Sequence, residues 1–302
     1  MLWDQVRVFD RRGRLGERAH EAALLVAALC AAVALVWHAQ ARADEVSPPE
    51  GYRLGVFPYV PVLAIDRIYG PVAAQFAEDL GRPVHLKTKP TFDQFAEELR
   101  KESYDIILVH PFFYVEAHDN HHYEPLVRLE EPLTAMVMVR EQDPFETLAD
   151  LKGKTIGLPP ALAAVTELVK ASLLDAGLVP GVDVALEHHR SKPSCLHALA
   201  LGRAAACGLP RFALSQIDPN NELKLRLMFE TEPVSNFLFA AHARVPEADR
   251  VNLCKSILAW PFTARGRKIL EGGAWSRFVL ARDQDYDDIR RHVLRLQRFA
   301  QR

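Results

Sequence analysis

Cysteine is scarce in this chain, with four in 302 residues. Cys30 falls in an N-terminal apolar run, so the body keeps Cys195, Cys207 and Cys254, too few and too odd in number for a disulfide framework. An excess of one charge is also missing. Lys+Arg number 37 against 39 Asp+Glu, a formal net charge of -2, which removes the broad electrostatic footprint of a nucleic-acid or membrane-surface binder. Glycine stops at 15, and no glycine-rich phosphate-cradling loop or nucleophile–base motif is present. No catalytic residues and no cofactor are therefore expected. What remains is a globular composition, 49% hydrophobic and 25% charged, long enough for one large or two ordinary domains.

One long apolar run stands out. AALLVAALCAAVALVW (22–37) follows an arginine-rich lead of Arg7, Arg11, Arg12, Arg14 and Arg18. It is short of the about 20 residues a membrane span needs, and Ala41-Arg42-Ala43 supplies a small-x-small cleavage site. Residues 1–43 read as an export signal; left uncut, the same run would act as an N-terminal anchor. Export places the body in an oxidising compartment, where three cysteines leave at least one thiol free. Cys195 and Cys207 fall on a helix start and the following strand, which is expected to hold them too far apart to bridge.

After the polar, proline-containing leader ADEVSPPEG, order is expected to begin at the strand YRLGVFP (52–58). Ile65, Ile68, Val72, Phe76 and Leu80 recur at helical spacing up to Gly81. VHLKT (84–88) reads as a second strand. Thr91-Phe92-Asp93-Gln94 has the form of a capping box, and Asp105 to Val109 makes a third strand. The alternation predicts a parallel sheet with helices on its faces. A second such unit follows, with TIGLP (155–159), a helix over roughly 164–176 closed by Gly177, VALEHH (184–189), a helix from about Ser194 to Leu201, and AAACGL (204–209). LTAMVMVR leads in and SNFLFAAH leads out, and the helical C-terminal part lacks the strands for a third domain. The economical arrangement is α/β with two lobes, one from 51–133 plus 236–302 and the other from 134–235, joined by two crossing strands over a ligand cleft.

With these elements in place the sequence resembles the periplasmic solute-binding proteins of phosphate, phosphite and phosphonate ABC importers, the phosphonate-binding-protein-like branch of the type II periplasmic-binding fold. YRLGVFP, YDIILVHPFFYVEA, EPLVRL, LADLKGKTIG (148–157), LALGRAAACG and FVLARDQDYDDIR carry the resemblance by their order and spacing. It implies a periplasmic, non-enzymatic protein that binds a small, anionic solute between its lobes and delivers it to a membrane permease. The alternative of the same fold is a sensory subunit partnering a sensor-kinase or cyclase ectodomain. The family's ligand chemistry transfers poorly. Where phosphonate binders carry a Ser-Thr-Ser-Gly-like turn at a helix N-terminus, this chain reads Pro159-Pro160-Ala161-Leu162-Ala163-Ala164, with no hydroxyl before Thr166 and fewer N–H donors. The family's Ser-His-Asp falls on Ser191-Lys192-Pro193, and its later aspartate on Pro210.

The residues left for a ligand are cationic and aromatic. Arg190 and Lys192 stand where a strand meets a helix, Arg211 follows the next strand end, and Tyr59, Phe113 and Tyr114 come from the first lobe. His110 ends a strand at the cleft face, and Cys195 opens a helix whose N-terminal dipole would favour a thiolate. His118, His121 and His122 have helical chelating spacing. Asp119-Asn120, however, reads as a turn that ends the helix, so an exposed loop and no metal are expected.

Overall fold

β1 (Tyr52–Val56), β2 (Val84–Lys87) and β3 (Ile106–Val109) run parallel, linked by α1 (Val62–Leu80) and α2 (Phe92–Arg100), in a computed structural model that describes residues 51–211, 213, 217, 218, 220 and 222–300. The export signal read over 1–43 lies outside the described residues. β3 is buried at all four positions because helices cover both faces of a parallel sheet. Thr91 caps α2 by accepting from the Gln94 N–H at 3.2 Å. After α3 (Pro111–His121), β4 (Tyr123–Leu129), β10 (Leu238–His242) and β11 (Phe278–Leu280) complete a sheet of order β11-β4-β10-β3-β1-β2. β10 lies antiparallel between β3 and β4.

The second sheet has the order β7-β6-β8-β5-β9, from β5 (Ala135–Arg140), β6 (Thr155–Leu158), β7 (Ala185–His188), β8 (Ala206–Pro210) and β9 (Leu225–Glu230). α4 (Ala164–Asp175) connects β6 to β7, and α5 (Lys192–Ala200) connects β7 to β8. The chain thus crosses between sheets twice, before β5 and after β9. The crossings pair where the Leu133 N–H donates to the Val234 carbonyl at 2.8 Å and the Val234 N–H returns a bond at 3.0 Å. α6 (Glu247–Ala259) and α7 (Ala264–Gly273) pack on α1. α8 (Asp287–Ala300) lies on α3 and also reaches α4, where Arg295 pairs with Asp175. This is the two-lobed mixed α/β arrangement of type II binding proteins. Among the described residues no helix is long and apolar enough to cross a membrane.

Two local expectations are overturned. Cys195 and Cys207 form a disulfide, with Cα atoms 5.9 Å apart. α5 turns straight back into β8, and its buried face, with Cys195, Leu196 and Leu199, lies on that strand, so an inward first-turn cysteine comes to rest over it. Gly157 on the neighbouring β6 leaves the room, since a β-carbon there would fall 2.9 Å from Cys195 Sγ. Among the described residues the free thiol is Cys254. The second correction concerns α3, which does not end at Asp119-Asn120 but continues to His121. His122 closes it in the left-handed region (φ 57°), donating its N–H to the Ala117 carbonyl. Arg290 of α8 holds Asp119 at 2.7 Å, and the Asn120 amide donates back to the Glu116 carbonyl, so neither turn-forming side chain competes with the helix backbone.

Candidate ligand cleft

The first five helices each follow the carboxyl end of a strand, so their N-termini converge on one cleft of ≈ 530 Å³ between the sheets. Val60 and Pro61 line it before α1, Pro90 and Phe92 at α2, His110 at α3, Ala163 to Val165 at α4, and Ser191 to Pro193 at α5. Each helix directs the positive end of its dipole inward. α4 does so without a side-chain cap, because Ala163 at its N-cap has no acceptor to offer its first-turn N–H groups.

His110 is the most constrained polar group in the wall, at 1% exposure. Its Nδ1 accepts the Phe113 N–H at 3.4 Å, capping α3, so the ring proton belongs on Nε2. That Nε2 is buried with no hydrogen-bond partner among the described residues. Burial pushes the His110 pKa down to about 3, and the backbone of Leu162 from the opposite lobe offsets a little of this without giving Nε2 a bond of ordinary geometry. The imidazole is therefore a neutral donor at physiological pH.

The second lobe supplies Arg190, exposed at the cleft mouth, and Lys192, half-buried, its pKa lowered by desolvation. His189 also lines the wall, with a buried Nε2 3.6 Å from Glu187 Oε1. The Thr166 hydroxyl does not face a ligand. It stands 3.1 Å from both the Pro159 and Pro160 carbonyls and braces the turn that precedes α4.

Of the eight residues proposed from sequence, Tyr59, His110, Arg190, Lys192 and Cys195 line the cleft. Cys195 does so as half of a disulfide, which replaces the thiolate reading. The other three lie elsewhere. Phe113 is buried behind the wall and stacks on the His110 ring, centroids 4.2 Å apart. Tyr114 is fully buried and donates to Asp283 at 3.0 Å, because one position further along α3 turns its side chain toward the segment preceding α8. Arg211 is exposed and pairs with Glu230 on β9.

The sequence reading missed Phe57, Phe92, Phe237 and His189. Phe57 and His189 immediately follow β1 and β7, so the strand-end rule that selected His110 would have found them. Phe237 carried no such signal.

The histidines of α3 do not converge. His118 faces Asp119 and Asp283, His121 lies 4.0 Å from Glu102, and His122 is exposed. His118, Asp119 and Asp283 could offer metal-ligating atoms within 4.8 Å of one another, but the Arg290 guanidinium lies 2.7 and 2.6 Å from the two carboxylates and is already their cation.

A two-lobed body with helix N-termini and cations around an interlobe cleft is the architecture of the type II binding fold. The family described as ABC transporter, phosphonate, periplasmic substrate-binding protein matches residues 54–286, and the chain belongs to it. It is accordingly a periplasmic solute-binding protein of an ABC importer rather than an enzyme, with a small molecule and a membrane permease as its partners.

Solved structures agree on the fold. A Prochlorococcus marinus PhnD1 in complex with methylphosphonate superposes with TM-score 0.72 at 14% identity, covering 83% of this chain and 99% of that one. A Xanthomonas citri protein bound to ATP gives 0.73 at 15% identity, with 83% and 98% covered. A binding-protein component of a Pseudomonas aeruginosa phosphonate transporter gives 0.68 at 15%, with 82% and 87% covered. No curated protein sequence matches the chain. The sensory alternative finds no support in these matches.

Proposed function

We propose that the cleft binds a small organic anion and presents it, closed between the lobes, to the permease. The observation that carries this reading is one cleft at which helix N-termini end and Lys192 and Arg190 stand, with His110 buried in its wall and no hydrogen bond of ordinary geometry at Nε2. A buried donor without an acceptor costs roughly 1–3 kcal/mol, a cost that an anionic ligand would remove. Closure would bring 51–133 plus 236–302 and 134–235 together about the Leu133–Val234 crossing, since a ligand stabilises the closed form only by touching both lobes. His110 then serves as the first-lobe donor and Lys192 as the second-lobe cation.

A thermal-shift screen of the folded body against carboxylates, sulfonates, phosphonates and inorganic phosphate tests this. An anion that binds only the native state raises the melting temperature in a concentration-dependent way. A panel in which no anion does so, while neutral solutes do, would reject the reading. The export signal over 1–43 is part of the same proposal, and N-terminal sequencing of secreted protein beginning at Asp44 would support it.

A further inference from the structure

We propose that the ligand is an amphipathic monoanion, a carboxylate or sulfonate carried on a flat aromatic body, and not inorganic phosphate or a small alkylphosphonate. This rests on the anion reading above and adds the body to the head. The evidence lies in the first-lobe wall, which is built of rings. Phe57 stacks on Tyr59 with centroids 4.9 Å apart, Phe237 meets Phe57 edge-on at 4.9 Å and Tyr59 at 5.6 Å, and Phe92 stands 6.1 Å from Phe57. The Tyr59 hydroxyl is not offered to the cleft; it is 2.9 Å from the hydroxyl of fully buried Tyr69. Tyr59 therefore contributes a ring face, and the wall prefers an apolar or aromatic surface to water.

Apart from the uncapped first-turn N–H groups of α4, neutral donors are few on the opposite wall. Pro159, Pro160 and Pro193 have no N–H. The Thr166 hydroxyl serves the Pro159 and Pro160 carbonyls, and the Ser191 hydroxyl accepts the Ser194 N–H at 3.3 Å to cap α5. A dianionic phosphonate buried here would leave much of its charge without hydrogen bonds, whereas a monoanion needs fewer partners. Size points the same way. A cleft of ≈ 530 Å³ lies within the about 300–1,000 Å³ that bury drug-sized ligands, far more than a bare oxyanion fills.

Calorimetry with matched pairs tests the inference: benzoate against acetate, and phenylphosphonate against methylphosphonate. The ring is expected to raise affinity roughly 10- to 100-fold at either head group, the gain from burying a phenyl-sized apolar surface. At constant ring, benzoate or benzenesulfonate should bind at least as tightly as phenylphosphonate. Phe237→Ala should remove most of the ring's gain, so that benzoate falls toward the affinity that acetate shows in the same variant. Tyr59→Leu probes the same stack from a second position and keeps the result readable if the first variant melts.

Methylphosphonate binding as tightly as phenylphosphonate would overturn the aromatic inference and leave the anion reading standing. Benzamide binding as well as benzoate would overturn the anion reading and, with it, the monoanion assignment. Failure of every anion in the panel would overturn both.

Discussion

Cys195 in the first turn of α5 is bonded to Cys207, the second residue of β8, and lies two residues beyond the Ser191–Pro193 stretch of the cleft wall. The crosslink closes a short loop, with a sequence separation of 12, and a loop of this size restricts the unfolded chain by about 3 kcal/mol. Reductant is expected to lower the urea midpoint of the wild-type protein. The Cys195→Ser, Cys207→Ser double variant should start from the lowered midpoint and not respond to reductant. Identical midpoints in all four cases would show that the bond contributes nothing to stability.

Asp105 is 2% exposed and accepts from Arg53 at 3.1 Å and Arg244 at 2.7 Å. Burial alone would raise its pKa, but the two guanidiniums and the Arg53 backbone N–H outweigh burial and lower it. Its contribution is thus fully present above the unfolded-state pKa of about 3.9 and is lost as pH falls through the lower folded value. Asp105→Asn should cost about 2–3 kcal/mol at neutral pH, less than for a fully buried pair because each arginine is over a third exposed. Denaturation curves at pH 7 and below pH 4 should show the gap between variant and wild type narrowing in acid.

His110 has the opposite charge logic. It is buried neutral with its pKa lowered to about 3, whereas the unfolded chain protonates near about 6.5. Below about pH 6.5 the unfolded state binds the extra proton, so stability falls as the pH drops toward 3, at up to about 1.4 kcal/mol per pH unit from this group. His110→Asn keeps an acceptor at the N-cap of α3 and removes the titration. Its stability should depend less steeply on pH than wild type between 6.5 and 4. Parallel slopes would mean that the ring exchanges protons in the folded state.

For an anion held as proposed, Lys192→Ala should weaken binding by roughly 1.5–3 kcal/mol, the loss of a charge-assisted hydrogen bond. Arg190→Ala should cost less, since that side chain is exposed and screened. His121→Ala with His122→Ala should leave affinity unchanged, because these residues sit at the far end of α3, about 16 Å along the helix from its cleft-facing start. Titration of benzoate into each variant checks the order, and affinity lost with the histidine pair but kept in Lys192→Ala would place the binding site elsewhere.

What the sequence determined by itself was everything governed by local periodicity and strand ends. The spacing of Ile65, Val72 and Phe76, the cap at Thr91 and the apolar run of β3 are near-neighbour patterns, and they are buried or bonded as such patterns require. The position of His110 at a strand's carboxyl end was legible for the same reason, as was the missing hydroxyl turn at Pro159–Ala164. Tertiary structure decided which way each neighbouring side chain turned. Phe113 and Tyr114 are adjacent in sequence, yet about 100° of helical rotation sends one behind His110 and the other to Asp283. Whether Cys195 meets Cys207 depends on the face by which α5 settles on β8, and whether Phe237 joins Phe57 and Tyr59 depends on where the returning chain crosses between lobes. These are contacts between residues distant in sequence, formed by packing that no single segment's pattern encodes.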